Sequence, residues 1–252
     1  MIEFLNILFK NLFMEARKIS EIIIENLYKN FQLKDRKIEV LKDLNIEINL
    51  DKITIILGKS GCGKTTLLRL INGLDKDYQG KITKGDNIRI GIVFQEPRLM
   101  SWLNVYNNIV LGFSKEKISE KKISDLISLI GLENFSKAYP YQLSGGMQQR
   151  VALARTLAYD PDLILMDEPF AALDYFTRVG MQNELIKLKN LTKKSILFVT
   201  HNIDEALILG ENIIILEDGK VKESYILEKK YPRDLLEGDL IKLKKEILNN
   251  FK

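Results

Sequence analysis

Cysteine, histidine and tryptophan each occur once in the 252 residues, as Cys62, His201 and Trp102, and proline occurs five times. A lone cysteine excludes an internal disulfide framework and fits a reducing compartment, the cytoplasm. Long apolar runs are missing as well: Lys, Asp, Glu or Asn interrupts every stretch such as Ile22-Ile23-Ile24 or Ile213–Leu216. None reaches the about 18 residues that a membrane helix needs, so no span is expected. The first residues lack the charged start, apolar centre and small-residue cleavage site of a secretory signal. Charge of one sign is scarce, since 38 basic against 34 acidic side chains leave +4. No Lys/Arg cluster is interleaved with aromatics, so nucleic acid is not expected as a partner. There is no internal repeat and no low-complexity segment. What is present is 46% apolar and 29% charged, the composition of one globular unit with lobes.

Ile2, Leu5, Leu8, Phe9, Leu12 and Phe13 fall at helical spacing within residues 1–19. That extension reads either as an amphipathic helix for a membrane surface or partner, or as unordered residues ahead of a fold that begins near Ser20. Residues 21–27, 44–50 and 53–57 read as short strands, and the last runs straight into a glycine-rich loop. Residues 64–73 read as a helix closed by Gly73. After a strand over 88–94 the texture turns helical, with one pattern around Ile118–Ile130 ending at Gly131 and another from Gly146 to Ala158. Apolar strands return at Leu163–Met166, Ser195–Val199 and Ile213–Leu216, with helical stretches at 175–190 and 203–209 between them. Alternation of this kind predicts an α/β core with a mostly parallel sheet. At the end Leu240, Leu243, Ile247, Leu248 and Phe251 repeat at helical spacing among Lys242, Lys244 and Lys245, a helix docked on the body.

Gly58-Lys59-Ser60-Gly61-Cys62-Gly63-Lys64-Thr65 fits G-x-x-x-x-G-K-[ST]. The glycines let successive backbone N–H groups curl round phosphate oxygens, Lys64 neutralises the β- and γ-phosphates, and Thr65 offers a hydroxyl to Mg²⁺. Thr66 follows at the start of the helix, whose positive end faces the anion. Cys62 reads as a small filler in this loop rather than a redox device. LILMDEP at 163–169 ends an apolar strand in two acids. Beside a phosphate loop, Asp167 is placed to hold the Mg²⁺ water shell and Glu168 to orient and polarise the attacking water. His201 follows the strand SILFVT, at the carboxyl edge where α/β sheets bind ligands, and reads as a γ-phosphate sensor.

Leu143-Ser144-Gly145-Gly146-Met147-Gln148-Gln149-Arg150, ahead of the Asp167-Glu168 strand, resembles the signature motif of ATP-binding cassette ATPases. The resemblance covers about residues 21–225 and implies a P-loop NTPase core with a small antiparallel β subdomain and an inserted helical subdomain at about 98–160. The cassette would then take residues 20–225 and a helical tail 226–252. It further implies that Gln95 is the Q-loop glutamine and a Mg²⁺ ligand, that Asp174 in Ala172-Leu173-Asp174 belongs to the D-loop, and that His201 is the switch histidine. An aromatic stacks on adenine in this family: Phe31 suits the role by its distance to the following strand, and Tyr28 competes for it. In physical terms a serine and two glycines at a helix start make an anion site with no lysine of its own. It would serve another chain's phosphate, and the family's head-to-tail pairing implies that Ser144, Gly145 and Gly146 close over ATP held by Lys64 of a second subunit, a homodimer. Phe94-Gln95-Glu96-Pro97-Arg98-Leu99-Met100-Ser101-Trp102 and Tyr139-Pro140-Tyr141-Gln142 look like the importer branch for nitrate, sulfonate, taurine and related solutes. Arg233 and the residues after it resemble the close of those chains. The partners implied are a transmembrane permease at the cytoplasmic face of the membrane and, indirectly, an extracytoplasmic solute-binding protein. Leu99, Met100 and Trp102 are read as local core or as a groove for the permease. A ribosome- or DNA-acting cassette is disfavoured by the single cassette, the +4 charge and the lack of a long heptad insert. An exporter would share all the chemistry.

Overall fold

The computed structural model describes residues 21–85, 87–113 and 118–251. The expectations for residues 1–19 lie outside them. In chain order the elements are β1 (Glu21–Leu33), β2 (Arg36–Asn49), β3 (Ile53–Leu57), α1 (Lys64–Asn72), β4 (Gln79–Lys84), β5 (Ile90–Val93), α2 (Val105–Ile109), α3 (Glu120–Leu129), α4 (Gly145–Ala158), β6 (Leu163–Asp167), α5 (Tyr175–Thr192), β7 (Ser195–Thr200), α6 (Ile203–Leu209), β8 (Asn212–Glu217), β9 (Lys220–Ile226) and α7 (Gly238–Asn250). Contacts divide the chain into two compact units. One holds residues 89–194, the other the described residues of 21–88 and 195–251.

In the second unit every residue of β3 (ITIIL) and of β7 (SILFVT) is buried. Such unbroken apolar strands suit parallel pairing with both faces covered. β3 pairs in parallel with β7, Ile53 opposite Ile196 through Leu57 opposite Thr200, and with β8 on its other side. β9 closes the edge antiparallel to β8. A separate three-stranded antiparallel sheet has the order β2-β1-β4. β1 and β2 run well beyond the short strands that apolar residues alone suggest, because they continue as a two-stranded ribbon around the turn at 34–35. The ribbon is irregular: register shifts fall after Ile24, Leu27 and Lys29, and Asn26 (φ 47°) is held there by hydrogen bonds with Asn45 and Asp43. β4 and β9 have exposed, polar alternation (QGKITK, KVKESYI), the edge-strand texture that hydrophobic patterning misses.

In the first unit β5 and β6 pair in parallel, Ile90 opposite Leu163 and Val93 opposite Met166. Helices α2 to α4 occupy 105–158. Each begins on a side-chain cap: Asn104 accepts from the Asn107 N–H at 2.8 Å, Ser119 from Lys122 at 3.2 Å and Ser144 from Met147 at 3.3 Å. α2, five residues long, is too short to leave a periodic signal. The fold is thus α/β, with parallel pairing in both units beside a small antiparallel sheet. Among the described residues no helix is long and apolar enough to cross a membrane.

Candidate nucleotide site

The phosphate loop leaves the buried strand β3 and feeds α1, so its backbone N–H groups sit at a sheet edge and a helix start together. Two of its glycines are required by geometry. Gly63, the residue before α1, has φ 106°, and a Cβ there would meet Leu41 Cδ2 at 2.7 Å; a Cβ on Gly58 would meet the Leu216 carbonyl oxygen at 2.4 Å. Lys64 is 5% exposed, and its ammonium donates to the carbonyls of Gly58 at 2.8 Å and Lys59 at 2.9 Å. The cation is therefore folded back across the loop, with its stem buried. Thr65 is exposed and Thr66 half-buried on the first turn of α1. Burial pushes the Cys62 thiol up, although the Lys64 charge pulls the other way.

Beside this loop lies a cavity of about 390 Å³, within the range of small-ligand sites. Its walls include Ile38 and Val40 of β2, Lys59 to Cys62, and Gly219. Phe31 is paired directly across the ribbon with Ile38, which puts it on the same face as this wall; it is 40% exposed, with the Lys29 ammonium 4.8 Å from its ring centre. Tyr28 pairs instead with Gln79 of β4. Lys29 is itself anchored by Asp75 and Asp77.

In the same unit His201 stands exposed one residue past β7. Its turn is fixed from both sides. The Thr200 hydroxyl donates to the buried Glu205 carboxylate at 2.6 Å, and the Asn202 side chain caps α6 by accepting from the Asp204 N–H at 2.8 Å. Neither Thr200 nor Glu205 stands out in the sequence, because their partnership depends on the turn between strand and helix.

In the first unit Asp167 is buried at the end of β6 and Glu168 follows half-buried with φ 43°. A glutamate in left-handed backbone is uncommon and costs about 1–3 kcal/mol, and such strain clusters at functional sites. Asp174 is exposed and caps α5: one carboxylate oxygen accepts from the Thr177 N–H at 3.1 Å, the other from its hydroxyl at 2.6 Å. Those two bonds from Thr177 hold its carboxyl below the usual range. Ser144 and Gly145 are exposed at the head of α4 and Gly146 is buried. Gln95 is exposed in the loop after β5. That loop is tied to α4 by three donors: Gln149 Nε2 to the Phe94 carbonyl at 3.1 Å, and the Arg155 guanidinium to the carbonyls of Pro97 at 2.8 Å and Arg98 at 2.9 Å. The sequence gives no sign of these links, since the acceptors are backbone oxygens more than fifty residues away. Asn108, fully buried, shapes the next segment by bonding the backbone of Met100, Leu103 and Asn104. Trp102 is left 72% exposed, which rules out local core for that ring, and Tyr141 is 78% exposed, stacked 5.9 Å from Tyr139.

Comparison with known proteins agrees with this layout. The ABC transporter family model matches residues 41–171. The chain is 43% identical over 241 residues to an uncharacterized ABC transporter ATP-binding protein of Methanocaldococcus jannaschii, covering 91% of this chain and 90% of that one. It is 38% identical over 239 residues to an aliphatic sulfonates import ATP-binding protein of Bacillus cereus, covering 91% and 95%. Among solved structures it is similar to an ATP-binding cassette seen as a dimer in a post-hydrolysis state with ADP and phosphate, with a TM-score of 0.72 and 33% identity over 83% of this chain and all of that one. A family match over half the chain and relatives of this identity over nine-tenths of it lead to one conclusion: the chain belongs to the ABC transporter family.

Proposed function

We propose that this chain is the ATP-binding and ATP-hydrolysing subunit of an ABC importer, working as a homodimer at the cytoplasmic face of the membrane and coupling ATP-driven closure to uptake of a small solute of the nitrate, sulfonate or taurine kind. The observation that carries the reading is the phosphate loop, with Gly63 at φ 106° and the Lys64 stem buried beneath it. Lys64 and the loop N–H groups hold the β- and γ-phosphates. Glu168 orients a water and accepts its proton as the water oxygen bonds to the γ-phosphorus and the bond to the ADP oxygen breaks, releasing ADP and phosphate. His201 stabilises the charge on the γ-phosphate oxygens. Ser144, Gly145 and Gly146 supply N–H donors to the nucleotide of the other subunit, and Asp174 belongs to the D-loop. Phe31 stacks on the adenine.

The residues present suit Mg²⁺: the Thr65 hydroxyl, the Gln95 amide oxygen and the buried Asp167 carboxylate are hard oxygen donors. When bound, the ion supplies charge neutralisation at the β- and γ-oxygens. The exposed rings of Trp102 and Tyr141 support a permease as docking partner, and a solute-binding protein acts through that permease.

The test is to measure ATP binding, turnover and assembly for the wild type, Lys64→Ala and Glu168→Gln. Glu168→Gln should bind ATP, stall turnover and accumulate as a dimer, and it should bring down a polytopic membrane protein when purified from solubilised membranes with ATP. Continued fast turnover in that variant, nucleotide affinity surviving Lys64→Ala, or recovery of ribosomal proteins or nucleic acid in place of a membrane partner would each overturn the corresponding part of the reading.

A further inference from the structure

We infer that Phe251, just past α7, is an additional contact residue for the adenosine half of the nucleotide, an inference that rests on reading the phosphate loop as an ATP site. Phe251 lines the same cavity of about 390 Å³ as Ile38, Val40, Cys62 and Gly219. The phosphate loop lines that cavity, and so does Ile38, whose cross-strand neighbour is Phe31. A nucleotide with its phosphates on the loop has its ribose and base to place, and this space offers them apolar walls from Ile38, Val40 and Phe251.

Phe251 is held there before any ligand arrives. The neighbouring Asn250 side chain donates to the Glu223 carboxylate and, at 2.9 Å, to the Tyr225 hydroxyl, while its carbonyl accepts from Lys222. Tyr225 in turn donates to Glu223 at 2.6 Å, and Glu217 pairs with Lys222. Further back, Leu240 and Ile247 of α7 are buried and Lys244 pairs with Asp204. The backbone that carries the ring is thus anchored by contacts on β9 and α6 rather than by the ligand, which is how a preorganised wall raises affinity.

The experiment titrates wild type, Phe251→Ala, Phe251→Leu and Phe251→Trp with MgATP and, separately, with inorganic tripolyphosphate, which has no ribose or base. Phe251→Ala should raise the Kd for ATP about 5- to 20-fold while leaving that for tripolyphosphate within about twofold, and Phe251→Trp should restore ATP binding. Phe251→Leu keeps apolar volume but loses the flat ring, and should weaken ATP a few-fold, so the answer stands even where the alanine variant fails to fold. Unchanged or tighter ATP binding in the alanine and leucine variants overturns the inference, and so does equal weakening of both ligands, which would make Phe251 a prop for the loop. Absence of ATP and tripolyphosphate binding in the wild type would instead overturn the nucleotide site itself.

Discussion

Replacing Gln149 by leucine removes one of the three donors that tie the loop carrying Gln95 to α4, at nearly constant volume. Gln149 is 3% exposed and bonds the Phe94 carbonyl at 3.1 Å. Leaving that oxygen short of a donor costs about 1–3 kcal/mol, against a net value of about 1 kcal/mol for the bond itself. The two Arg155 bonds to Pro97 and Arg98 remain, so the loop stays attached but with a weaker bias toward its native position. Each 1.4 kcal/mol of that bias is about tenfold in population. Steady-state ATP hydrolysis should therefore show kcat lowered by about 5- to 100-fold with KM for ATP within about twofold, because the phosphate loop is untouched. A double-mutant cycle with Arg155→Met should give a coupling of about 0.5–3 kcal/mol in urea denaturation, since both side chains hold one segment. Unchanged kcat, with stability losses that simply add, would refute the idea that these donors position Gln95.

Arg233→Met should destabilise the protein by about 3–5 kcal/mol, read as a loss of at least about 6 °C in Tm, because the buried guanidinium donates to the carbonyls of Leu207, Gly210, Leu227 and Lys229 and leaves them unpaired when removed; a loss under about 1 kcal/mol refutes it. Asp160 joins Arg89 at 2.7 Å and Lys194 at 2.6 Å. Burial opposes its ionisation, but the bond and charge of Lys194 and then of Arg89 outweigh that and hold the carboxyl below its ordinary range. Its contribution, about 1 kcal/mol for a partly exposed network, is present above the unfolded pKa near 3.9 and is lost as pH falls through the lower folded value. Denaturation of wild type and Asp160→Asn should accordingly converge below about pH 4 and separate above it. At Glu168, glycine should be more stable than alanine by about 1 kcal/mol, the reverse of the usual order, since φ 43° penalises any Cβ; thermal melts of the two variants decide it.

The parts of this molecule that were legible from residue order are those where chemistry or burial leaves little choice. β3, β7 and the core of β8 are mostly apolar because both faces are covered, and the phosphate loop announces itself because only glycines and a lysine can do its work. β4 and β9 hid behind solvent-facing polar residues. Distance to the following strand favours Phe31 over Tyr28 for the adenine, and the register adds what spacing cannot give: Phe31 lies opposite Ile38 while Tyr28 faces β4. Gln149, Arg155, Thr200 and Glu205 escape for another reason: each sits in an ordinary helix or strand, and its bond depends on the fold or on the turn that brings its partner near. Trp102 is ambiguous in sequence because its exposure depends on Asn108, which holds the surrounding backbone and leaves the ring outside.

Within the first unit these details add up to one mechanical element. α4 has 14 residues, about 21 Å of stiff rod. Ser144 caps its head, Gln149 grips Phe94 one turn along, and Arg155 grips Pro97 and Arg98 a further turn and a half on. The loop that bears Gln95 therefore cannot shift far along the helix without leaving carbonyls unpaired at a cost of about 1–3 kcal/mol each, and Asn108 bonds the backbone on either side of Trp102. The backbone on either side of Trp102 and the loop that bears Gln95 are thus held by bonds within one unit, and Ser144 caps the same helix that holds the loop. If the head of α4 meets phosphate as proposed, a link from Trp102 to that site needs no long chain of side chains, and a double-mutant cycle of Trp102→Ala with Gln149→Leu on ATP turnover tests it: strictly additive losses would refute it.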